Sequence, residues 1–138
     1  MDLVLDSSLA VAWGLPDETS ARADRLLARA SGKSAFWVPA LWWYEIANAL
    51  TMARRRHRLV EADRSLLIEL YRVLPIQTDS VLGLETVRTL QILADEYGLS
   101  AYDAAYLELA QRRGLALATL DRRLATAARG AGVNLIPL

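Results

Sequence analysis

Short apolar runs alternate with helix-period segments along this chain. Leu3-Val4-Leu5 is a run of strand-forming residues that stops at Asp6. Ala21, Leu26, Leu27 and Ala30 recur at helical spacing, which predicts a helix from about Asp17 to Ala30, stopped by Ser31-Gly32. Ala35-Phe36-Trp37-Val38 reads as a second strand closed by Pro39. Long helices are predicted from Leu41 to about Arg56 and from Ala62 to Leu74, and Pro75-Ile76-Gln77-Thr78 reads as a third strand. Helical patterns return from Leu84 to Tyr97 and from Ala101 to Arg113, each followed by glycine. The continuous run Leu115–Leu120 is the best buried-strand candidate; a helix starts at Asp121, and Asn134-Leu135-Ile136 forms a last strand before Pro137.

Such alternation predicts a mostly parallel sheet of four to five strands covered on both faces. The expected fold class is therefore a three-layer α/β/α sandwich. With 138 residues, no internal repeat and no low-complexity segment, the chain is expected to form one domain over 1–138.

Composition narrows the chemistry. Hydrophobic residues make up 54% of the chain, more than an ordinary soluble domain carries, so a partner is expected to cover some apolar surface. With no cysteine and a single histidine, His57, there is no disulfide framework, zinc–thiolate cluster or multi-histidine metal site. Sixteen basic residues balance sixteen acidic ones, which excludes a generic polycation; binding to a polyanion needs locally concentrated charge. No run approaches the ~20 apolar residues of a membrane span. Asp2 and Asp6 interrupt the apolar N-terminus and no basic residue precedes Arg22, so a cytoplasmic location without a membrane partner is expected.

The candidate chemistry is acidic. In open parallel sheets, ligands gather at the carboxyl ends of strands. Two predicted strands end there in aspartate, at Asp6 and Asp121. Asp103 lies in the first turn of its helix, after Ser100. Glu45 borders the apolar stripe of Trp42, Ile46, Ala49, Leu50 and Ala53, where it can look into a half-buried cleft. Each of these acids taken singly has a plainer reading: Asp6 and Asp121 as helix caps, Ser100–Asp103 as a capping box, Glu45 as a solvated edge. Their convergence on one rim favours chemistry, with Arg122-Arg123 and Arg112-Arg113 as candidate counter-charges. Clustered carboxylates resist ionisation beside one another, and a hard divalent cation removes that penalty. Oxygen donors completed by water suit Mg²⁺ or Mn²⁺, which lower the pKa of bound water as phosphodiester hydrolysis requires.

Four segments in order resemble the PIN-domain ribonucleases of the VapC toxin type. They are Leu5-Asp6-Ser7-Ser8, Tyr44–Leu50 with Glu45 and Asn48, Leu99–Leu107 with Asp103, and Ala118-Thr119-Leu120-Asp121-Arg122-Arg123-Leu124. The resemblance runs from Val4 to Leu124 and implies a PIN-like fold. It implies that Asp6, Glu45, Asp103 and Asp121 are the catalytic acids, that Asp6, Asp103 and Asp121 hold Mg²⁺ or Mn²⁺, and that Ser8, Asn48 and Thr119 support the site. It further implies RNA as substrate, a homodimer, and a cognate antitoxin whose tail occupies the acidic groove. Charge balanced almost wholly by arginine, with Lys33 the only lysine, is a mild departure.

Other features carry two readings each. Arg54-Arg55-Arg56-His57-Arg58 suits RNA phosphates, or a solvated helix end where cations favour the dipole. Phe36, Trp37, Trp42, Trp43 and Tyr44 are half of the ten aromatics within nine residues, a density that favours core or interface over base stacking. Trp43 lies at the far edge of its stripe from Glu45, which favours an interface. An aspartyl-nucleophile phosphatase wants a second acid at position 8, where Ser8 stands. A phosphoreceiver-like domain wants an acidic pair and a late-strand lysine that this chain lacks. A catalytically silent PIN-like scaffold should lack some of the four acids, and all are present.

Overall fold

β1, Asp2–Leu5, buries its last three residues completely. Strand-forming Leu3, Val4 and Leu5 have neighbours on both edges and both faces, which is why the run is continuously apolar. A computed structural model describes residues 1–18 and 20–138. It places β1 beside β2, Ala35–Pro39, on one edge and β4, Ala116–Ala118, on the other. β3, Ile76–Asp79, pairs with the far side of β2, giving the order β3-β2-β1-β4 with every pairing parallel. After β1 the chain builds to one side through β2 and β3, then returns to the other side as β4. The switch between β1 and β4 is where a parallel sheet opens a crevice at its carboxyl edge.

The helices that connect these strands are α1 (Ser7–Gly14), α2 (Ala21–Arg29), α3 (Leu41–Arg55) and α4 (Glu61–Val73), followed by α5 (Leu84–Tyr97), α6 (Ala101–Arg113) and α7 (Arg122–Gly130). α6 lies against β1, β2 and β4 and carries α5 and α7 on its outer side, while α1 packs on α2 and α3. The expected sandwich is the observed architecture. α6 sinks Ala104, Tyr106, Leu107, Leu109 and Ala110 into the core, each burial of a large apolar side chain contributing roughly 1.5–3 kcal/mol. Gly98 and Gly114, both at φ 64°, take the left-handed conformation that ends α5 and α6.

Three sequence expectations change. The helix expected over 17–30 starts later: Pro16–Glu18 forms a 3-10 turn, α2 begins at Ala21 behind the Ser20 cap, and Thr19 lies outside the described residues. α1 precedes it, unannounced by periodicity because Leu9–Trp13 is apolar at every position and shows no alternation with polar residues. The last strand reduces to one parallel bridge, Leu117 with Leu135, because Pro137 follows at once and offers no N–H.

Of the aromatic group, Phe36 and Trp42 are core, whereas Trp43 and Tyr44 are exposed. Trp43 donates its indole N–H to Thr78 Oγ1 at 2.8 Å.

Candidate active site

The register of β1 against β4 builds the first half of the site. Leu5 stands opposite Ala118, so the next residues, Asp6 and Thr119, emerge together from the carboxyl edge. Thr119 Oγ1 donates to Asp6 Oδ2 at 2.6 Å, and Ser8 Oγ donates to the same oxygen at 2.7 Å. Both hydroxyls are themselves anchored: Asp121 N–H donates to Thr119 Oγ1, and Leu120 N–H to Ser8 Oγ. Asp6 occupies the N-cap position of α1, yet its side chain caps nothing. Ser8 thus serves the carboxylate of Asp6, which removes the phosphatase reading of that position.

α3 and α6 bring the other acids. Tyr106 Oη donates to Glu45 Oε1, and the Ser7 hydroxyl lies within hydrogen-bonding reach of both. Tyr106 is wholly buried, and burial beside Asp6 and Glu45 holds its phenol protonated, so it stays a donor. Asp103 sits one helical turn before Tyr106 on α6, behind Ser100, whose hydroxyl accepts from Asp103 N–H at 3.1 Å. Asp121 keeps its capping role through one oxygen: Oδ1 accepts from Arg123 N–H at 2.8 Å and Leu124 N–H at 3.1 Å. The cap reading and the site reading of Asp121 therefore use different oxygens.

Electrostatics ties the acids to one another. Burial pushes the Asp6 carboxyl above its ordinary value, against the opposing bonds from Thr119 and Ser8, and the charges of Asp103 and Asp121 push it further. Glu45 is raised by burial, with Asp6 and Asp103 adding to it against the Tyr106 bond. Burial and Asp121 raise Asp103, while Arg123 pulls it down. The four acids are thus linked through their charges, and Arg123 opposes them at Asp103. Of the expected counter-charges, Arg112 and Arg113 are engaged elsewhere: both grip Asp79, at 2.8–3.0 Å, and Arg113 stacks over Trp37.

Among the described residues, no hydrogen bond reaches Asp6 Oδ1 or Asp121 Oδ2, and all four acids are hard oxygen ligands. Among the described residues, no three acidic or histidine side chains stand close enough to hold a metal ion as they are. Mg²⁺ takes one or two carboxylates and keeps several waters, so this open arrangement of hard donors fits it better than a dry cage would.

Asn48 is exposed on α3 and makes no side-chain hydrogen bond among the described residues. Arg54 pairs with Glu61 at 3.3 Å, Arg55 and Arg56 are exposed, and Arg58 clamps Asp17 and Glu18. Nine residues of α3, about 14 Å at 1.5 Å per residue, separate Glu45 from Arg54. Tyr106 and Ser7 are the partners that the pattern of acids did not reveal. The signal for Tyr106 was its spacing of three from Asp103, on the same helix face.

A crevice of carboxylates at the switch point of a parallel sheet defines a class of acid-lined α/β domains. The PIN-domain family model matches residues 3–130, and the chain belongs to that family. Ribonuclease VapC3 of Pyrobaculum aerophilum is 34% identical over 129 residues, 91% of this chain and 93% of that protein. Ribonuclease VapC9 of Mycobacterium tuberculosis is 37% identical over 122 residues, 88% of this chain and 87% of that one. Among solved structures, PAE2754 from Pyrobaculum aerophilum is 30% identical at a TM-score of 0.67, over 94% of this chain and 81% of that chain. VapBC2 from Rickettsia felis, crystallised with a promoter DNA fragment, shares the fold at a TM-score of 0.68 and 11% identity, over 99% of this chain and 98% of that chain.

Proposed function

We propose that this chain is a metal-dependent endoribonuclease and the toxin of a type II toxin–antitoxin pair. The observation that carries the reading is that Asp6, Glu45, Asp103 and Asp121 act on one another through their charges, at the carboxyl edge where Asp6 and Thr119 emerge together. Relatives at 34% and 37% identity named VapC ribonucleases support it. Asp6, Asp103 and Asp121 would hold Mg²⁺ or Mn²⁺ partly through the ion's waters, and the ion would supply charge neutralisation at a phosphate and a lowered pKa for bound water.

The chain's own groups account for the remaining steps. Tyr106 fixes Glu45 Oε1 and leaves Oε2 to orient the attacking water and take its proton as general base. Burial raises the Glu45 pKa, which makes it a stronger base than an exposed carboxylate. The water oxygen bonds to phosphorus as the bond to the leaving nucleoside oxygen breaks. Ser8 and Thr119 keep Asp6 from rotating away.

A cognate antitoxin and a second copy of the chain are the proposed partners. Leu66, Ile68 and Val73 on α4, with Leu84, Val87 and Ile92 on α5, offer exposed apolar surface for them to cover.

The test is cleavage of mixed single-stranded RNA with and without chelator. Parent protein should cut in Mg²⁺ and stop in chelator, and Asp6→Ala or Asp103→Ala should lose at least ~100-fold in rate while remaining folded. Cleavage undiminished in both variants overturns the reading.

A further inference from the structure

A cluster of acids that must accept a polyanion needs cations beside it to hold the flanking phosphates. We infer that the groove between the end of α5 and the outer side of α7 is that contact, a track for single-stranded RNA backbone leading to the acids. This rests on the ribonuclease reading above and adds the route by which the strand arrives.

The groove has a volume of about 620 Å³ and is lined by Glu96, Tyr97, Gly98, Arg122, Arg123 and Thr126, so its two arginines outnumber its one acid. Arg122 and Arg123 directly follow Asp121, so the track opens where the acids end. Most of the other arginines are already engaged. Arg54, Arg58, Arg64, Arg72, Arg88, Arg112 and Arg113 all form ion pairs with acidic side chains. Among the described residues, Arg122 and Arg123 form none, and no other cation without an ion pair adjoins one of the four acids in sequence.

The two arginines are set differently. Arg123 donates to Gly98 O at 2.8 Å, which fixes its guanidinium across the groove and between α5 and α6. Its charge reaches Asp103. Arg122 makes no side-chain hydrogen bond among the described residues and is exposed, free to meet a phosphate. The Arg54–Arg56 run is the competing location, but Arg54 is spent on Glu61 and the run lies about 14 Å along α3 from Glu45. A single strand held there would have to span that distance before reaching the acids. At the head of the α7 groove, by contrast, Arg123 is near enough for its charge to act on Asp103.

Each phosphate contact on a single strand contributes about 0.7 to the slope of log affinity against log salt. Binding of a labelled RNA of about 12 nucleotides, a length within the reach of one strand-binding domain, is followed by fluorescence anisotropy in the Asp6→Asn background. Salt is varied between about 50 and 200 mM, and each protein's fold is checked by circular dichroism. Arg122→Gln should lower the slope by about 0.7 and Arg122→Gln with Arg123→Gln by about 1.4, with Arg122→Lys keeping the slope of its parent. Because Arg123 braces Gly98, the Arg122 single variant carries the test if the double variant misfolds.

An unchanged slope in Arg122→Gln overturns the track, and a fall seen only on replacing Arg54, Arg55 and Arg56 moves the strand to α3. If the Asp6→Asn protein binds no RNA, both the track and the ribonuclease reading fail. If it binds and still cuts, the assignment of Asp6 fails while the slopes continue to judge the track.

Discussion

Thr119 donates its hydroxyl to Asp6 at 2.6 Å across 113 positions of sequence, and the same oxygen accepts the backbone N–H of Asp121 at 2.9 Å. One side chain therefore sets two of the acids relative to each other. Replacing it with valine keeps the shape and removes both bonds. Thr119→Val should lower kcat for RNA cleavage about tenfold and cost roughly 1.5–3 kcal/mol, the worth of a hydrogen bond to a charged group. Thr119→Ser, which restores the hydroxyl, should recover most of both. Denaturant titration and initial rates read the two effects; a valine variant with parental kcat would remove the coupling role.

Tyr106→Phe retains the buried ring and deletes the donor to Glu45. The expected result is a loss in kcat of about tenfold with KM little changed, as for a group that serves the transition state. Core packing on α6 is preserved, so the melting temperature should move by only a few degrees. Equal kcat in the two proteins would mean that Glu45 needs no such anchor.

Gly14 ends α1 directly against Leu67 of α4. A Cβ at that position would stand 2.1 Å from Leu67 Cδ2 and 2.8 Å from its Cγ. Leu67 is buried and its side chain must shift to admit the new atom, so Gly14→Ala should cost about 1–3 kcal/mol as overpacking. Gly14→Ala with Leu67→Ala should relieve the clash and show a coupling energy in a double-mutant cycle.

Asp79 supplies the pH dependence. Arg112 and Arg113 hold its carboxyl well below the ordinary 3.8, at about 2. Because the folded value is depressed, the stabilisation is fully present above pH 3.8 and disappears as the pH falls through about 2. The difference of nearly two pH units corresponds to about 2 kcal/mol. Asp79→Asn should lose that amount at pH 7 and match the parent near pH 2, as followed by urea midpoints. Parallel pH curves for the two proteins would contradict the assignment.

Much of this molecule was legible because its signals are local. Leu3–Leu5, Phe36–Val38 and the runs before Thr78 and Leu120 announce strands through continuous apolar character, and glycines at 98 and 114 announce helix ends. The acids were legible because two follow strands directly and Asp103 opens a helix. What stayed hidden depends on tertiary neighbours. α1 shows no amphipathic period because it is buried on several sides. Tyr106 looks like any core aromatic until α3 lays Glu45 over it. Asp79, just past the run that ends at Thr78, carries no local signal of the two guanidinium groups that the end of α6 brings to it. The fifth strand failed for a covalent reason, the proline that follows it.

The pairing of β1 with β4 has a consequence for biosynthesis. Its two halves leave the ribosome more than a hundred residues apart, and β1 gains its second neighbour, the edge strand β4, only after nearly the whole chain has been made. A nascent or truncated product that stops short of Ala116 carries Asp6, Glu45 and Asp103 yet lacks the strand that sets Asp6 and the helix start that supplies Asp121. On the proposed ribonuclease reading, such fragments are expected to cut no RNA while translation is still under way.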